Sequence, residues 1–335
     1  MPEPLVTIIV PCYNMEKKIQ RLFDSIFNQT YKQLYVVVVD DGSTDHSKQV
    51  ILDFQKRMQQ RFCEVEYVYK DNGGPGSAIN VGLKYIKGDY FCWPDADDWL
   101  SLDSIKKRVN FLEENREYAM VRSDAFVYEE SNLIEPIYCV SKKRANRFKE
   151  TNLFEDYILE RNVFFCPGCF MVRTSSYRDA NPRMEIFEGR FGQNYQLLLP
   201  LVYHFRVGFI DECLYHYVIY KGSLSHSEDW YINSYKYHEE IIIETLKQIK
   251  MAEGERLFYE ILTKQKYLIK SCLLALRNGD NKRFNHNIDM LDNNYFCYFG
   301  ASLSRIMMAK PFSHIPGSFV ILKYIYRLFG VNKNL

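Results

Sequence analysis

The first hundred residues contain short apolar runs in which apolar and polar residues do not alternate. Leu5 to Val10 and Tyr35 to Val39 are two such runs of strand length, and residues 16–28 between them carry apolar side chains at helical spacing. A strand that is apolar at every position is buried on both faces, as in parallel sheets covered by helices on both sides. Such strands, separated by a helix, predict an α/β fold with a mainly parallel sheet.

The same patterns predict the elements of the rest of the chain. We predict further strands at 65–69, 90–93, 120–128 and 164–173, and helices at 16–28, 47–62, 76–86 and 193–203. Beyond about residue 228 the pattern is helical, with helices predicted at 230–250, 255–277, 282–291 and 296–308. Two domains follow from this change of pattern: a sheet-containing domain over 1–220 and a mostly helical domain over 221–335.

Charge and cysteine usage exclude several classes of protein. The net charge is +1, so no general affinity for nucleic acid is predicted. The first residues lack the basic start and apolar run of a secretory signal, which predicts a cytoplasmic chain whose nine cysteines are reduced. Cys166 and Cys169 have the spacing of half a zinc site, but no second pair stands near them in the sequence, so buried structural thiols are expected.

Residues 313–335 alternate apolar and aromatic residues with Lys323, Arg327 and Lys333. As a helix this segment would be amphipathic and basic, which suits a membrane surface. A helix docked on its own domain has the same pattern. The two interpretations stay open.

Carboxylates follow two of the predicted strands. Asp40 and Asp41 come directly after the second strand, and Asp95, Asp97 and Asp98 come just after the fourth. Ligands of open α/β sheets bind at the carboxyl ends of the strands. Carboxylates at alternate positions of a turn can share a hard cation, so this edge predicts a Mg²⁺ or Mn²⁺ site that accompanies a diphosphate.

A dinucleotide-binding dehydrogenase is the competing α/β interpretation. That fold needs a glycine-rich turn directly after its first strand. Residues 11–14, which follow the first strand here, contain no glycine, and the glycine-rich loop "DNGGPGSAINVG" follows the third strand instead. It also has Ile79 where the third glycine of the fingerprint would fall. The sequence therefore argues against this class.

Four segments in this order resemble the motif series of the family-2 inverting glycosyltransferases of the GT-A fold. They are "VTIIVPCYN", "VVVVDDGSTD", "DNGGPGSAINVGLKYIKGDYFCWPDADDWL" and "YKGSLSH". The resemblance covers roughly residues 4 to 226, and the C-terminal third adds nothing to it. It implies a Rossmann-like mixed sheet between helices, followed here by a C-terminal helical region.

The resemblance also implies roles for individual residues. The first carboxylate pair holds the base and ribose of a nucleotide, usually uridine, and the Asp-x-Asp motif reaches the ribose and the metal on the diphosphate. The nucleotide-binding residues implied are Pro11, Tyr13, Asp40, Asp41, Gly74, Asn80, Asp95 and Ala96. The implied metal ligands are Asp97, Asp98 and His226, a loop histidine that is otherwise expected to be solvated.

The sequence departs from the family pattern in two places. Ile79 replaces an arginine that many relatives carry in the glycine-rich loop, which leaves the donor sugar open. Gln193 and Asn194 stand where the family places an acidic pair that contains the general base. An amide cannot act as a base, so Glu188 or Asp124 is expected to take this role, while Gln193 and Asn194 hydrogen-bond the acceptor.

The function expected from the resemblance is metal-assisted transfer of a sugar from a nucleotide donor, UDP first, to a hydroxyl of a glycan or lipid-linked acceptor, with inversion. The alternative is a nucleotide-sugar-binding protein with weak or no transfer activity. Such acceptors are typical of surface polysaccharide synthesis. A peripheral position on the inner face of the cell membrane and a homo-oligomeric assembly are compatible with this expectation.

Overall fold

The computed structural model of the protein describes residues 3–61, 63–142, 144, 148–189, 192–221 and 228–299. The chain divides into two compact units. The first consists of Met1–Phe154 and Asn162–Ser227, and the second combines Glu155–Arg161 with the helices that follow Glu228. The first unit contains the sheet and both acidic segments.

Strands and helices alternate through the first unit, and the described part of the second unit is helical. The strands are β1 (Val6–Cys12), β2 (Leu34–Asp41), β3 (Glu64–Lys70), β4 (Tyr90–Cys92), β5 (Trp99–Leu100), β6 (Tyr118–Glu129), β7 (Tyr138–Cys139), β8 (Phe170–Arg173) and β9 (Arg206–Ile219). The helices are α1 (Ile19–Phe27), α2 (Ser47–Met58), α3 (Pro75–Leu83), α4 (Ser104–Glu114), α5 (Phe154–Leu159), α6 (Thr174–Ala180), α7 (Asn194–His204), α8 (Glu228–Gln248), α9 (Glu253–Arg277) and α10 (Asn281–Phe299).

Within the described residues, the strands form one mixed sheet in the order β3-β2-β1-β4-β8-β6-β9-β5, with β7 on β6. The long ladders β1–β2, β2–β3 and β6–β9 are parallel, and the short pairings of β8, β7 and β5 are antiparallel. Residues 36–39 of β2 are fully buried, as expected for a strand covered on both faces. The predicted mainly parallel α/β fold and its C-terminal helices are confirmed.

Helices cover the sheet through side chains that the sequence spaces on one face. In α1 the buried residues are Ile19, Leu22, Phe23 and Ile26, which lie three and four positions apart. In α3 the close contact uses a glycine, because a Cβ at Gly82 would lie 2.3 Å from Cγ2 of Ile9. The helix that follows the glycine-rich loop is thereby held directly against β1.

The structure differs from the predicted elements in several places. The strand predicted at 164–173 is limited to Phe170–Arg173, because Pro167 and Gly168 form a 3₁₀ turn before it. The break predicted between helices 282–291 and 296–308 is wrong, since α10 runs without interruption to Phe299, and residues 300–308 lie outside the described residues. The long strand β9 and helix α4 were not predicted at all.

The second unit contains a buried ion-pair group. Both carboxylate oxygens of Glu160 are engaged, one with Lys266 Nζ at 2.7 Å and the other with Lys270 Nζ at 2.6 Å. The opposing charges of these lysines hold the pKa of Glu160 well below its usual range, against the effect of its burial. None of the helices in the described part of the chain combines the length and apolar character needed to cross a bilayer.

Candidate active site

The sheet topology brings the two acidic segments to one edge. Strands β2 and β4 are both parallel neighbours of β1, one on each side. Their carboxyl ends therefore flank the carboxyl end of β1, where Pro11 is half-buried and Tyr13 is 46% exposed. The convergence of the two segments that the sequence predicted follows from this strand order.

Asp40 is buried at the end of β2, and both of its carboxylate oxygens accept hydrogen bonds. The amide of Ser43 donates to Oδ1 at 2.9 Å, and the hydroxyl of Tyr67 donates to Oδ2 at 2.9 Å. Burial and this bond to a carboxylate raise the pKa of Tyr67, so the phenol stays a donor. Asp40 thus fixes the turn after β2 and joins it to β3.

Asp41 organises the glycine-rich loop. Its carboxylate accepts hydrogen bonds from the amides of Gly73 at 3.0 Å and Gly74 at 2.7 Å, and it pairs with Lys70 Nζ at 2.7 Å. Gly74 has φ +88°, a conformation that favours glycine, and it immediately precedes α3. Lys70, which no sequence motif indicated, thus offsets the negative charge of Asp41.

Asn80 of α3 clamps a distant segment. Its side-chain amide donates to Ile186 O at 2.8 Å and to Glu188 Oε1 at 3.0 Å, and its oxygen accepts from Ile186 N at 2.7 Å. Near the start of α3, a Cβ on Gly76 would lie 3.4 Å from Gly189 O. The glycine-rich loop and the exposed Glu188 are therefore neighbours, although more than one hundred residues separate Asn80 from Glu188.

Asp98 points into the core. Its exposed fraction is 0%, and its carboxylate accepts hydrogen bonds from Tyr215 OH at 2.7 Å and from Val218 N at 2.8 Å. Burial, together with the neighbouring charges of Asp97 and Asp95, raises the pKa of Asp98 well above its usual value. Asp98 therefore attaches the acidic turn to β9.

Asp95 and Asp97 crowd one another with less support from hydrogen bonds. Burial, and after it the charge of Asp97, raises the pKa of Asp95 to about 8, although a hydrogen bond from the Gln193 side chain acts in the opposite direction. Burial raises the pKa of Asp97 as well. Ala96 between them is buried. A group that brings positive charge to this pair would favour its ionised form.

Two cations lie close to Asp97: Lys18, which directly precedes α1, and Arg21, within α1. The charges of Lys18 and Arg21 lower the pKa of Asp97 against the effect of burial. Arg21 Nη2 donates to Tyr220 OH at 2.6 Å, and Tyr220 OH donates to Asp97 O at 3.0 Å. Lys18 Nζ lies 3.5 Å from the centre of the Tyr220 ring. The sequence motifs did not indicate this group. The available signal was the i, i+3 spacing of Lys18 and Arg21, which begins four residues after the first motif.

The base candidates differ in their surroundings. The side chain of Asn194 is occupied, since its oxygen accepts from Trp93 Nε1 at 3.2 Å and its amide donates to Phe165 O at 3.2 Å. Asp124 is 2% exposed and accepts from two backbone amides. Glu188 is exposed. His226, a predicted metal ligand, lies outside the described residues.

Comparison with protein families identifies the class of the chain. A family model described as Glycosyl transferase family 2 matches residues 7–180. The match covers more than half of the chain, so the protein belongs to glycosyl transferase family 2. The membership of this family that the sequence segments predicted is confirmed.

Curated relatives share part of this chain. A stretch of 141 residues is 37% identical to an uncharacterized glycosyltransferase of Rickettsia prowazekii and covers 41% of each chain. A stretch of 159 residues is 34% identical to an uncharacterized glycosyltransferase of Haemophilus influenzae and covers 44% of this chain and 61% of that one. The matched stretches thus span less than two thirds of either relative.

Solved structures resemble the chain over nearly its whole length. TarS of S. aureus in complex with UDP-GlcNAc gives a TM-score of 0.63 at 17% identity, over 98% of this chain and 93% of that one. The mannosyltransferase PcManGT of Pyrobaculum calidifontis in complex with GDP-Man and Mn²⁺ gives 0.54 at 15% identity, over 98% and 83%. At these identities the likeness establishes a shared fold.

Proposed function

We propose that the protein transfers a sugar from a UDP-linked donor to a hydroxyl of a glycan or lipid-linked acceptor, with inversion at the anomeric carbon. The proposal rests mainly on one observation, the meeting of the β2 and β4 carboxylates at one edge of a parallel sheet. Membership of glycosyl transferase family 2 supports the reaction class. The UDP-GlcNAc complex of TarS, which shares the fold, supports the choice of UDP.

The nucleotide is assigned to the side of the edge formed by β1, β2 and the glycine-rich loop. Tyr13 and Pro11 offer surface to the base, and Asp41 and Gly74 shape the loop beside the ribose and diphosphate. Asp40 supports this side indirectly, because its carboxylate holds the turn after β2. Asn80 supports the same loop through α3 and positions Glu188.

Asp95 and Asp97 fit a divalent cation. Their oxygens are hard ligands of the kind that Mn²⁺ and Mg²⁺ prefer, and their raised pKa values mark a pair that a cation would stabilise in its ionised form. Asp98 is assigned a supporting role, because both of its oxygens already accept hydrogen bonds from β9. When bound, the cation neutralises charge that develops on the departing diphosphate.

Glu188 is assigned as the general base. It accepts the proton of the acceptor hydroxyl while the hydroxyl oxygen forms a bond to the anomeric carbon. The bond from that carbon to the diphosphate oxygen breaks on the opposite face, and UDP leaves with the electron pair. Glu188 is preferred to Asp124 because it is exposed beside the glycine-rich loop, whereas Asp124 is buried.

The first test measures UDP release from UDP-sugars in the presence of Mn²⁺. Asp97→Asn is expected to lower turnover by about 100-fold, the scale of losing one group that stabilises transition-state charge. Glu188→Gln is expected to lower acceptor-dependent transfer by a similar factor while UDP affinity changes little. Glu185→Gln is the matched control, since Glu185 is exposed nearby and, among the described residues, it accepts a hydrogen bond from Asn181 through its backbone oxygen and none through its carboxylate.

A nucleotide-sugar-binding protein without transfer activity is the second candidate, and one observation favours it. Gln193 occupies a position at which the family pattern has an acidic residue, and its side chain hydrogen-bonds Asp95. Micromolar UDP binding without release of UDP on any glycan or lipid-linked acceptor would establish this alternative. Loss of UDP binding in both Asp41→Ala and Asp97→Ala, with the fold retained, is expected under either candidate.

The proposed acceptor class places the reaction at the inner face of the cell membrane, in polysaccharide synthesis. The basic residues of 313–335 supply the surface contact. Sedimentation with vesicles that contain anionic lipid tests this assignment. Binding by the full chain but not by a chain ending at residue 299 is expected, and equal binding by both would contradict it.

A further inference from the structure

Three potential metal ligands meet where β6 pairs with β7 and β9. Asp124 lies opposite Cys213 in the β6–β9 ladder, at a point where the register shifts on both sides of Asp124. Cys139 of β7 lies opposite Phe126, two residues further along β6. Such irregular pairing redirects side chains, and it brings Cys139 Sγ to 3.3 Å from Cys213 Sγ.

The separations among the three side chains suit one small ion. A carboxylate oxygen of Asp124 and the two sulfur atoms all lie within 4.8 Å of one another. An ion with bonds of about 2.3 Å to sulfur and about 2.0 Å to oxygen holds tetrahedral ligands roughly 3.5 to 4 Å apart. Small side-chain adjustments therefore convert the observed arrangement into a coordination sphere.

The backbone around the cluster holds two of these residues in place. The amides of Ala125 and Ser141 both donate to Asp124 Oδ1 at 2.8 Å, and Ser101 Oγ donates to Cys213 O at 3.1 Å. Among the described residues, Asp124 Oδ2 accepts no hydrogen bond that competes with a metal. Outer-sphere bonds of this kind orient ligands and are a regular part of protein metal sites.

A residue that contacts the cluster carries a buried hydroxyl without a partner. Ser141 is fully buried, and its Oγ has no hydrogen-bond partner among the described residues, although its amide is bound to Asp124. A buried hydroxyl without a partner is costly, and a water bound to an ion in the neighbouring cluster is one group that could offset this cost. Cys213 is only partly buried, so the cluster has a route to solvent.

We propose that Asp124, Cys139 and Cys213 bind one Zn²⁺ ion that fastens β7 and β9 to β6. Two thiolates and one carboxylate favour Zn²⁺ over the hard cations assigned to Asp95 and Asp97. Binding of the ion to Cys139 and Cys213 releases the two thiol protons to solvent. This site is independent of the transfer reaction, and Asp124 acts in it as a ligand.

The test uses the full chain, reduced and freed of metal by a chelator, and titrated with Co²⁺ as a spectroscopic substitute for Zn²⁺. One equivalent is expected to produce the near-ultraviolet absorption of cobalt–thiolate bonds, and Zn²⁺ is expected to abolish it. The double variant Cys139→Ser, Cys213→Ser should lose this absorption. The matched double variant Cys63→Ser, Cys272→Ser removes two buried thiols outside the cluster and should retain it.

Two further variants separate this site from others. Asp124→Asn should weaken Co²⁺ binding at least 10-fold, because an amide is a poorer ligand than a carboxylate. Asp97→Asn should leave the cobalt–thiolate absorption unchanged. Absorption that survives in the Cys139→Ser, Cys213→Ser variant, or none in the reduced wild-type chain, overturns the proposal.

A measurement on the wild-type chain covers the case in which the double variant does not fold. Alkylation of each cysteine is followed by peptide mass spectrometry with and without one equivalent of Zn²⁺. Labelling of Cys139 and Cys213 is expected to slow at least 10-fold with Zn²⁺, while labelling of Cys63 stays the same. Equal rates with and without Zn²⁺, or capture of the pair only as a disulfide after oxidation, contradict a metal site.

Discussion

The two carboxylate groups at the edge of the sheet have the same charge but opposite surroundings. Around Asp40 and Asp41, a hydroxyl, an ammonium group and three backbone amides all donate to carboxylate oxygens. Around Asp95 and Asp97, burial dominates and both pKa values are raised. The first pair is therefore stabilised by donors of the fold itself, whereas the ionised form of the second pair would be favoured by a positively charged partner.

Local backbone chemistry explains much of the difference. After β2 the chain turns through Gly42, with φ +78°, and the amide of Ser43 is free to face Asp40. After β4 comes Pro94, which has no amide hydrogen, and the amide of Asp95 donates to Tyr215 OH. Fewer backbone donors are thus left for the second pair.

The largest expected contrast between the two pairs is in metal affinity. Asp95→Asn should weaken Mn²⁺ binding roughly 100-fold, because it removes one charged ligand from the proposed site. Asp41→Asn should change Mn²⁺ affinity less than about 3-fold, since its carboxylate is already paired with Lys70. Titration calorimetry at fixed pH measures both, and similar losses in the two variants would remove the distinction.

Within the second segment, Asp98 should behave like a member of the first. Asp98→Ala leaves Tyr215 OH and Val218 N buried without their acceptor, which should lower the free energy of unfolding by about 3 kcal/mol. Asp97→Ala removes a crowded carboxylate and should change it by less than about 1 kcal/mol. Urea unfolding of both variants gives these values; a larger loss for Asp97→Ala would reverse the assignment.

Removal of Asp41 should loosen the glycine-rich loop. Asp41→Ala leaves two loop amides without an acceptor, while Lys70, partly exposed, can turn to water. A loss of about 2 kcal/mol in the free energy of unfolding is expected, with faster amide exchange at Gly73 and Gly74. Unchanged exchange at these two amides would show that the loop does not depend on Asp41.

The raised pKa of Asp95 predicts a pH dependence of stability. Its pKa is about 8 in the folded chain and about 3.9 when unfolded. The folded state therefore binds more protons between these values, and stability falls as pH rises from about 4 to about 8. Asp95→Asn should raise the free energy of unfolding by about 1 to 2 kcal/mol relative to wild type between roughly pH 5 and 8. The remaining pH dependence belongs to Asp97, because neighbouring carboxylates titrate as a pair.

Urea unfolding at a series of pH values measures this difference. Addition of Mn²⁺ should reduce it at the upper end of the range, because binding to the folded state stabilises the ionised pair in the wild type. A stability difference that is independent of pH would contradict the raised pKa.

The smallest expected effect concerns the first pair. Tyr67→Phe removes one hydrogen bond to Asp40 and leaves the Ser43 amide in place. It should lower the free energy of unfolding by about 1 kcal/mol. Thermal unfolding measures the change, with Tyr69→Phe on the exposed side of β3 as the control expected to have no effect.

Sequence patterns were sufficient for the first half of the sheet and insufficient for the second. Residues 36–39 are apolar without interruption, so β2 was evident. Strand β9 was missed because Asp211 and Glu212, which lie in its irregular pairing with β6, break its apolar pattern. Register shifts of this kind depend on the partner strand and leave no local signal.

For the site, the sequence indicated which carboxylates matter but could not distinguish their roles. The donors that engage Asp40 and Asp41 include side chains of β3, and those that engage Asp98 come from β9, about 120 residues away. Asp97 and Asp98 look alike in sequence, yet only Asp98 is fully buried and bound to β9. Such differences arise only when distant strands are brought together.

The clamp formed by Asn80 has a consequence for recombination between relatives. At position 186 it recognises the amide and carbonyl of the backbone, whatever side chain that residue carries. The two hydrogen bonds therefore place no demand on the side chain of residue 186, which is constrained by packing instead, since Ile186 is buried. A chimera of two relatives must therefore inherit asparagine at position 80, together with a residue that packs at position 186, to keep α3 attached to this segment.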